Sequence, residues 1–237
     1  MVLRGDCNKR SRGQGAYSTA YGCRCPGNHR TFPQQSPLDP VTARITKAAF
    51  VTSVFKPSQF PLTGLPEVAF AGRSNAGKSS LLNRILGRHN LVKVSSRPGF
   101  TRSLNFFLVN DSVYFVDLPG YGYAKAPKHV QSKWHRLVEG YIETRKPLSG
   151  VVCIFDMRRV PDQLDLDLLD YLHALGRHVW LVLNKADKIS QPKRQGQIQA
   201  IRRRLPGFID KPLIISACTG EGVQFLLEAI WLWLGLA

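Results

Sequence analysis

Apolar and polar positions divide the chain into two regimes. Over residues 1–40, Gly, Pro, Ser, Gln and Arg follow one another with little periodicity. Such a composition buries too little apolar surface to order itself, so a flexible arm is expected there. From Glu67 onward short apolar runs recur, at 67–71, 104–109, 112–117, 150–156, 178–183 and 212–216. They predict six strands. Helical spacing is found over 79–86, 129–145, 162–175, 193–204 and 221–234, the third carrying Leu164, Leu168, Leu169, Leu172 and Leu175 as a stripe. Strands alternating with helices predict an α/β fold, a mostly parallel sheet covered on both faces. Asn110 and Asp111 separate two of the runs. They predict a hairpin, and with it one antiparallel edge strand.

The 237 residues carry 33 Lys and Arg against 16 Asp and Glu, a net charge of +17. That balance predicts a polyanionic partner, nucleic acid or an acidic membrane face. The excess is densest in residues 1–65, with nine basic and two acidic residues. Besides a functional arm, that region reads as an extension from an upstream start, or as an Arg-rich transit peptide. The five cysteines are odd in number and scattered, which fits a reducing cytosol better than a disulfide framework. Cys23 and Cys25 lack a second pair at zinc-site spacing. The apolar C-terminal stretch, 222–237, has 16 residues and contains Glu228, too short to span a bilayer.

One segment carries specific chemistry. Gly72, Arg73, Ser74, Asn75, Ala76, Gly77, Lys78 and Ser79, followed by Ser80, match G-x-x-x-x-G-K-[ST] between a predicted strand and a predicted helix. The glycines let backbone N–H groups curl around phosphate oxygens. Lys78 is expected to neutralise β and γ phosphates, and the Ser79 hydroxyl to bind Mg²⁺. The N-terminus of the following helix adds partial positive charge.

Four further segments complete the nucleotide site. Asp117, Leu118, Pro119 and Gly120 end a strand. Asp117 suits Mg²⁺ through a water and Gly120 suits the γ-phosphate, although Asp-x-x-Gly alone is often only a strand-to-turn junction. Asn184, Lys185, Ala186 and Asp187 end another strand. The Asp187 carboxylate can accept from the N1–H and N2–H₂ of guanine, a donor pair that adenine lacks. Asn184 is expected to brace the pocket and meet N7, and the Lys185 stem to cover the base. Ser216, Ala217 and Cys218 follow a third strand, with the Ala217 N–H expected at guanine O6. Between phosphate loop and Asp117, the broken run 95–101 contains Gly99 and Thr101. Thr101 is placed to give Mg²⁺ a second hydroxyl when γ-phosphate holds the loop in, with Ser95, Ser96 and Ser103 as competitors.

Five motifs in this order resemble a translation-factor-class GTPase, and in detail the EngB (YihA) family. The resembling segments are 72–80, 97–101, 105–107, 117–124, Lys133 with Trp134, 184–187 and 216–217. The resemblance covers about 50–237, some four-fifths of the chain. It implies a three-layer P-loop GTPase fold with a mostly parallel six-stranded sheet. It divides the chain into a basic arm, 1–45, and a GTPase domain, 46–237. It also implies GTP hydrolysis, a role in assembling the large ribosomal subunit, and a part in division septum formation. Phe100, Arg102 and Ser103 depart from the family's usual residues around the switch threonine.

Many GTPases place Gln after the Gly of Asp-x-x-Gly, to orient the attacking water. Here that residue is Tyr121, so slow intrinsic hydrolysis is expected. A packing role for the ring is the preferred reading. Asn75 matches the position at which cation-activated GTPases coordinate K⁺, and reads equally as a residue that tolerates the loop backbone. The residues expected to carry the reaction are therefore Lys78, Thr101, Gly120 and Asn75, with Ser79, Thr101 and Asp117 at the metal. Expected ligands are GTP or GDP and Mg²⁺, with K⁺ where Asn75 coordinates it.

Two basic clusters, Lys125–Arg136 and Lys193–Arg204, fit contacts with ribosomal RNA of the large subunit. They are equally ordinary as solvated faces. A cytoplasmic monomer is expected. The competing readings are a septum-associated GTPase on an acidic membrane, and a P-loop ATPase or nucleotide kinase. Asn184 and Asp187 count against the last.

Overall fold

The computed structural model describes residues 44–88, 91–92, 103–122, 128–205 and 212–236, with the backbone alone for 128–135. Seven strands form one sheet: β1 (Ala48–Val54), β2 (Glu67–Gly72), β3 (Leu104–Val109), β4 (Val113–Asp117), β5 (Leu148–Asp156), β6 (Val179–Asn184) and β7 (Leu213–Ile214). Their order across the sheet is β1-β3-β4-β2-β5-β6-β7. β2 pairs in parallel with β4 and β5, as does β6 with β5 and β7. β3 is the one strand running against the rest, as the hairpin pattern predicts.

Asn110 and Asp111 take φ of 48° and 53°. Positive φ at both central residues suits the right-handed twist of a tight hairpin, and Asn and Asp tolerate it. The Ser112 amide closes the turn on the Val109 carbonyl at 3.0 Å.

β1 is the seventh strand, which the hydrophobic pattern does not announce. Its exposed residues break any alternation, and a register shift lies between Phe50 and Thr52. What fastens it comes from the distant hairpin turn. Asn110 Oδ1 accepts from the amides of Thr46 (2.9 Å) and Lys47 (3.1 Å), and its Nδ2 donates to the Arg44 carbonyl at 2.8 Å.

Helices α1 (Lys78–Ile85) and α5 (Val223–Leu234) cover one face of the sheet, while α2 (Lys128–Thr144), α3 (Gln163–Ala174) and α4 (Gln191–Arg204) cover the other. Alternation within β2 shows why three layers form. Val68 and Phe70 pack with Leu81, Leu82, Leu226 and Ile230, whereas Ala69 and Ala71 join Tyr141, Leu169, Leu172 and Ile201. A strand buried on both faces reads as a continuous apolar run.

The leucine stripe of α3 is narrower than its sequence suggests. Leu169 and Leu172 are buried, but Leu164 and Leu175 are exposed. The buried face runs through Asp165, Leu169 and Leu172, rotated from the expected one. The start of α3 is set by a capping box. Asp162 accepts from the amide of Leu164 at 3.1 Å, and Asp165 Oδ2 accepts from the amide of Asp162 at 3.0 Å.

Candidate functional site

The motifs of β2, β4, β6 and β7 all emerge at the C-terminal edge of the sheet, where open α/β sheets bind ligands. The phosphate loop leaves β2 at Gly72. A Cβ there would lie 2.9 Å from the Ile154 carbonyl oxygen of β5, so the strand can pass only as glycine. Gly77 caps α1 with φ 91°, and a Cβ there would lie 2.4 Å from Asn184 Nδ2. Between them Asn75 is left-handed, φ 68°, a conformation that asparagine tolerates. The loop thus curls by its backbone into an anion-binding turn, its Ser74 amide held by the Tyr121 carbonyl and its Ala76 amide by the Arg73 carbonyl, both at 3.0 Å.

Lys78 opens α1 and is buried with its ammonium on Asp117 Oδ1. Asp117 Oδ2 accepts from Asn105 Nδ2 at 3.4 Å. Asn105 is in turn held through Oδ1 by the hydroxyls of Ser53 (2.7 Å) and Ser103 (3.2 Å). Ser79 lies half-buried on the first turn of α1, and Ser80 is exposed. Leu118 is tied to β2 by its amide on the Phe70 carbonyl (3.1 Å), and Leu118 and Pro119 are buried. Gly120 lies against the phosphate loop, where a Cβ would come 3.2 Å from the Ser74 nitrogen. Hydroxyl and carboxylate oxygens of this kind form the donor set a hard divalent cation takes.

At the far side, Asn184 joins three segments. Its Nδ2 donates to the carbonyls of Ala76 (3.0 Å) and Gly77 (3.4 Å), and its Oδ1 accepts from the Ala217 amide at 3.1 Å. The amide expected at a base oxygen is therefore held by Asn184 here. Lys185, left-handed with φ 67°, donates from Nζ to the Asn75 carbonyl (2.5 Å) and to Asp156 Oδ2 (2.9 Å). Burial pushes Asp156 up, but hydrogen bonds from Arg158 and Lys185 outweigh it and hold the carboxyl at about 2. Ala186 is buried, with its amide on the Ile215 carbonyl (3.1 Å).

Asp187 Oδ1 accepts from Ser216 Oγ at 2.7 Å, and Lys188 Nζ lies 3.3 Å from Oδ2. The Ser216 hydroxyl, with Lys188, holds this carboxyl below its ordinary range. Ser216 Oγ accepts from the Thr219 amide at 3.1 Å. An ionised acceptor on the turn after β6 thus faces the loop after β7.

Several positioning residues escape a reading by motif. Arg84 of α1 donates from Nε to the Ala217 carbonyl at 3.1 Å, and from a terminal nitrogen to the carbonyl of Cys218, an exposed free cysteine. Arg194 donates to the carbonyls of Ile189 (3.1 Å) and Ala186 (2.9 Å) and pairs with Glu221 at 2.5 Å. Its side chain is 14% exposed, which corrects its grouping with a phosphate-facing cluster. Arg73 pairs with Asp162, and the Tyr121 phenol donates to Asp165 Oδ1 at 2.7 Å. No spacing rule links the partners of Arg84, Arg73 and Tyr121, which are 44 to 134 residues away.

Gly99 and Thr101, with the run around them, lie outside the described residues, as does Lys125. Lys128, Lys133 and Trp134 lie on the backbone of α2, with side chains outside the described ones.

Comparison with known proteins sets this geometry in a family. Residues 67–185 match a family model described as "50S ribosome-binding GTPase". The chain is 46% identical over 195 residues to the "probable GTP-binding protein EngB" of Pelotomaculum thermopropionicum, covering 82% of this chain and 98% of that one. It is similar to the crystal structure of a protein with the same description, with TM-score 0.60 and 27% identity over 72% of this chain and all of the other. A further similar structure is Era in complex with MgGDPNP and nucleotides 1506–1542 of 16S ribosomal RNA. Its TM-score is 0.56 and its identity 27%, over 70% of this chain and 55% of that one.

Proposed function

The chain belongs to the EngB family of GTP-binding proteins, and from that premise we propose that this GTPase is a switch in assembly of the large ribosomal subunit, with a part in division and septation. The observation carrying the ribosomal reading is the match of residues 67–185 to the family described as binding the 50S subunit. A net charge of +17 supports it, because RNA phosphates are the polyanion such a charge suits. We place the protein in the cytoplasm as a monomer, with 1–45 as a basic arm and 46–237 as the GTPase domain. Among the described residues no helix is long and apolar enough to cross a membrane.

In this reading Asp187 accepts the guanine N1–H and N2–H₂, while Ser216 orients it and the Lys185 stem lies over the base. The amides of Asn75 and 77–79 and the Lys78 ammonium take the β and γ phosphates, with Lys78 exchanging Asp117 for phosphate oxygens. Ser79 and Asp117 fit Mg²⁺ by their hard oxygens, joined by Thr101 from the switch loop. The metal, when bound, supplies positive charge against the β and γ oxygens. Gly120 offers its N–H to the γ-phosphate. The Tyr121 phenol is engaged by Asp165 and does not orient the attacking water, so intrinsic hydrolysis is slow. K⁺ near Asn75 is the helper we propose.

Co-sedimentation tests the reading. With a GTP analogue the full chain should travel with large ribosomal subunits, less so with GDP, and should leave acidic liposomes behind. Binding to liposomes and not to subunits would overturn it in favour of a septum- or membrane-associated GTPase.

A further inference from the structure

The first turn of α3 carries two carboxylates that nucleotide chemistry does not use. Asp162 holds the Arg73 guanidinium of the phosphate loop. Asp165, 8% exposed, holds the phenol of Tyr121, the residue directly after Gly120. Burial, with Asp165 adjoining, pushes that phenol far above its ordinary range, so it remains a neutral donor.

The backbone of Tyr121 is fastened as well. Its carbonyl accepts from the Ser74 amide at 3.0 Å, and Arg73 and Tyr121 form a parallel bridge. That bridge lies beyond the last pair of β2 and β4, Phe70 with Asp117, and is shifted by one residue from their register. Gly120 is caught between Asp117, anchored in β4, and Tyr121, anchored at both backbone and side chain. Beyond it, Gly122 has φ 76°, a hinge open to glycine.

Resting on the GTPase reading, we propose that Asp165 is a positioning residue for the γ-phosphate, acting through Tyr121 to hold the Gly120 amide where that phosphate arrives. A donor fixed before the ligand comes costs no reorganisation when it binds. Without the phenol–carboxylate bond, Tyr121 keeps its backbone bridge to Arg73 and the Ser74 amide but loses its side-chain tie, and the hold on Gly120 loosens. The Arg73–Asp162 pair keeps the start of α3 against the phosphate loop, so the anchor is stationary. GDP has no γ-phosphate, and its affinity does not draw on this strap.

The readout is the ratio of affinities for a non-hydrolysable GTP analogue and for GDP, measured on the full chain. Tyr121→Phe keeps the ring and leaves the Asp162–Asp165 capping box intact. It should lower that ratio about tenfold, or about 1.4 kcal/mol, with GDP affinity within about twofold of wild type, and lower kcat for GTP with it. Asp165→Ala also removes a cap and should melt earlier, but a cap lost in both nucleotide states leaves the ratio to report the strap alone. The double variant should match Tyr121→Phe in ratio, because both changes break one bond. An unchanged ratio in Tyr121→Phe, equal losses for both nucleotides, or losses that multiply to about a hundredfold in the double variant would overturn the proposal. A wild-type protein that failed to bind GDP would instead overturn the GTPase reading beneath it.

Discussion

Asn184 Nδ2 donates to the carbonyl oxygen of Ala76 at 3.0 Å, joining two loops 108 residues apart in sequence. Its Oδ1 simultaneously holds the Ala217 amide. One side chain therefore sets the spacing between phosphate loop, base-recognition turn and the loop after β7. Asn184→Ala should leave a buried carbonyl and an amide without their partner, at about 1–3 kcal/mol. It should weaken GTP and GDP binding alike, since neither contact concerns the γ-phosphate. Thermal melting and titration with both nucleotides check this. Loss confined to the GTP analogue would speak against a spacing role.

Asp187→Asn should exchange base preference. Ser216 can still donate to the remaining amide oxygen, so the turn is kept. The new N–H₂ opposes the guanine amino group but can donate to the O2 of xanthine. GTP affinity should fall about a hundredfold or more while XTP affinity rises. Competition binding with both nucleotides measures it, and full GTP affinity with no gain for XTP would refute the base pocket.

Asn75 carries the potassium proposal. Replacing K⁺ by Na⁺ at fixed ionic strength should slow GTP hydrolysis, and Asn75→Ala should abolish the difference. Its left-handed backbone adds strain to any alanine, so Asn75→Gly is the second variant. Equal wild-type rates in both salts would leave Asn75 only its backbone role.

Stability should depend on pH through His178. Its ring stacks on Trp233 at 3.7 Å between centroids and meets Trp180 edge-on, and burial lowers its pKa to about 4. The unfolded chain binds this proton near pH 6.5. The stabilising contribution is therefore complete above pH 6.5 and is lost as pH falls from 6.5 to 4. Discounted for partial exposure, it amounts to about 1–2 kcal/mol. Melting of wild type and His178→Phe between pH 7.5 and 4.5 tests it, and the variant should lose the slope in that window. The contribution of Asp156, held at about 2, is present throughout this window and is lost only as pH falls below the ordinary carboxyl range towards 2, so it does not confound the measurement.

Layers, strand alternation and the hairpin turn are legible along the chain because each depends on side chains two to four residues apart. The phosphate-loop segment is legible for the same reason. Its curvature comes from consecutive backbone dihedrals, and the close approaches at Gly72 and Gly77 force glycine at fixed spacing. β1 is not legible, because an edge strand with three consecutive exposed residues has no period, and its fastening comes from Asn110. The orientation of α3 escapes too, since its leucines outnumber the positions the sheet can cover. Nor does sequence separate an arginine bound for solvent from one such as Arg194, whose carbonyl and carboxylate partners are assembled only by folding. The amino-acid sequence by itself determined which groups could meet a guanine nucleotide. Tertiary structure decided what holds them in place, because Asn184, Arg84 and Asp165 act on partners that no local spacing brings together.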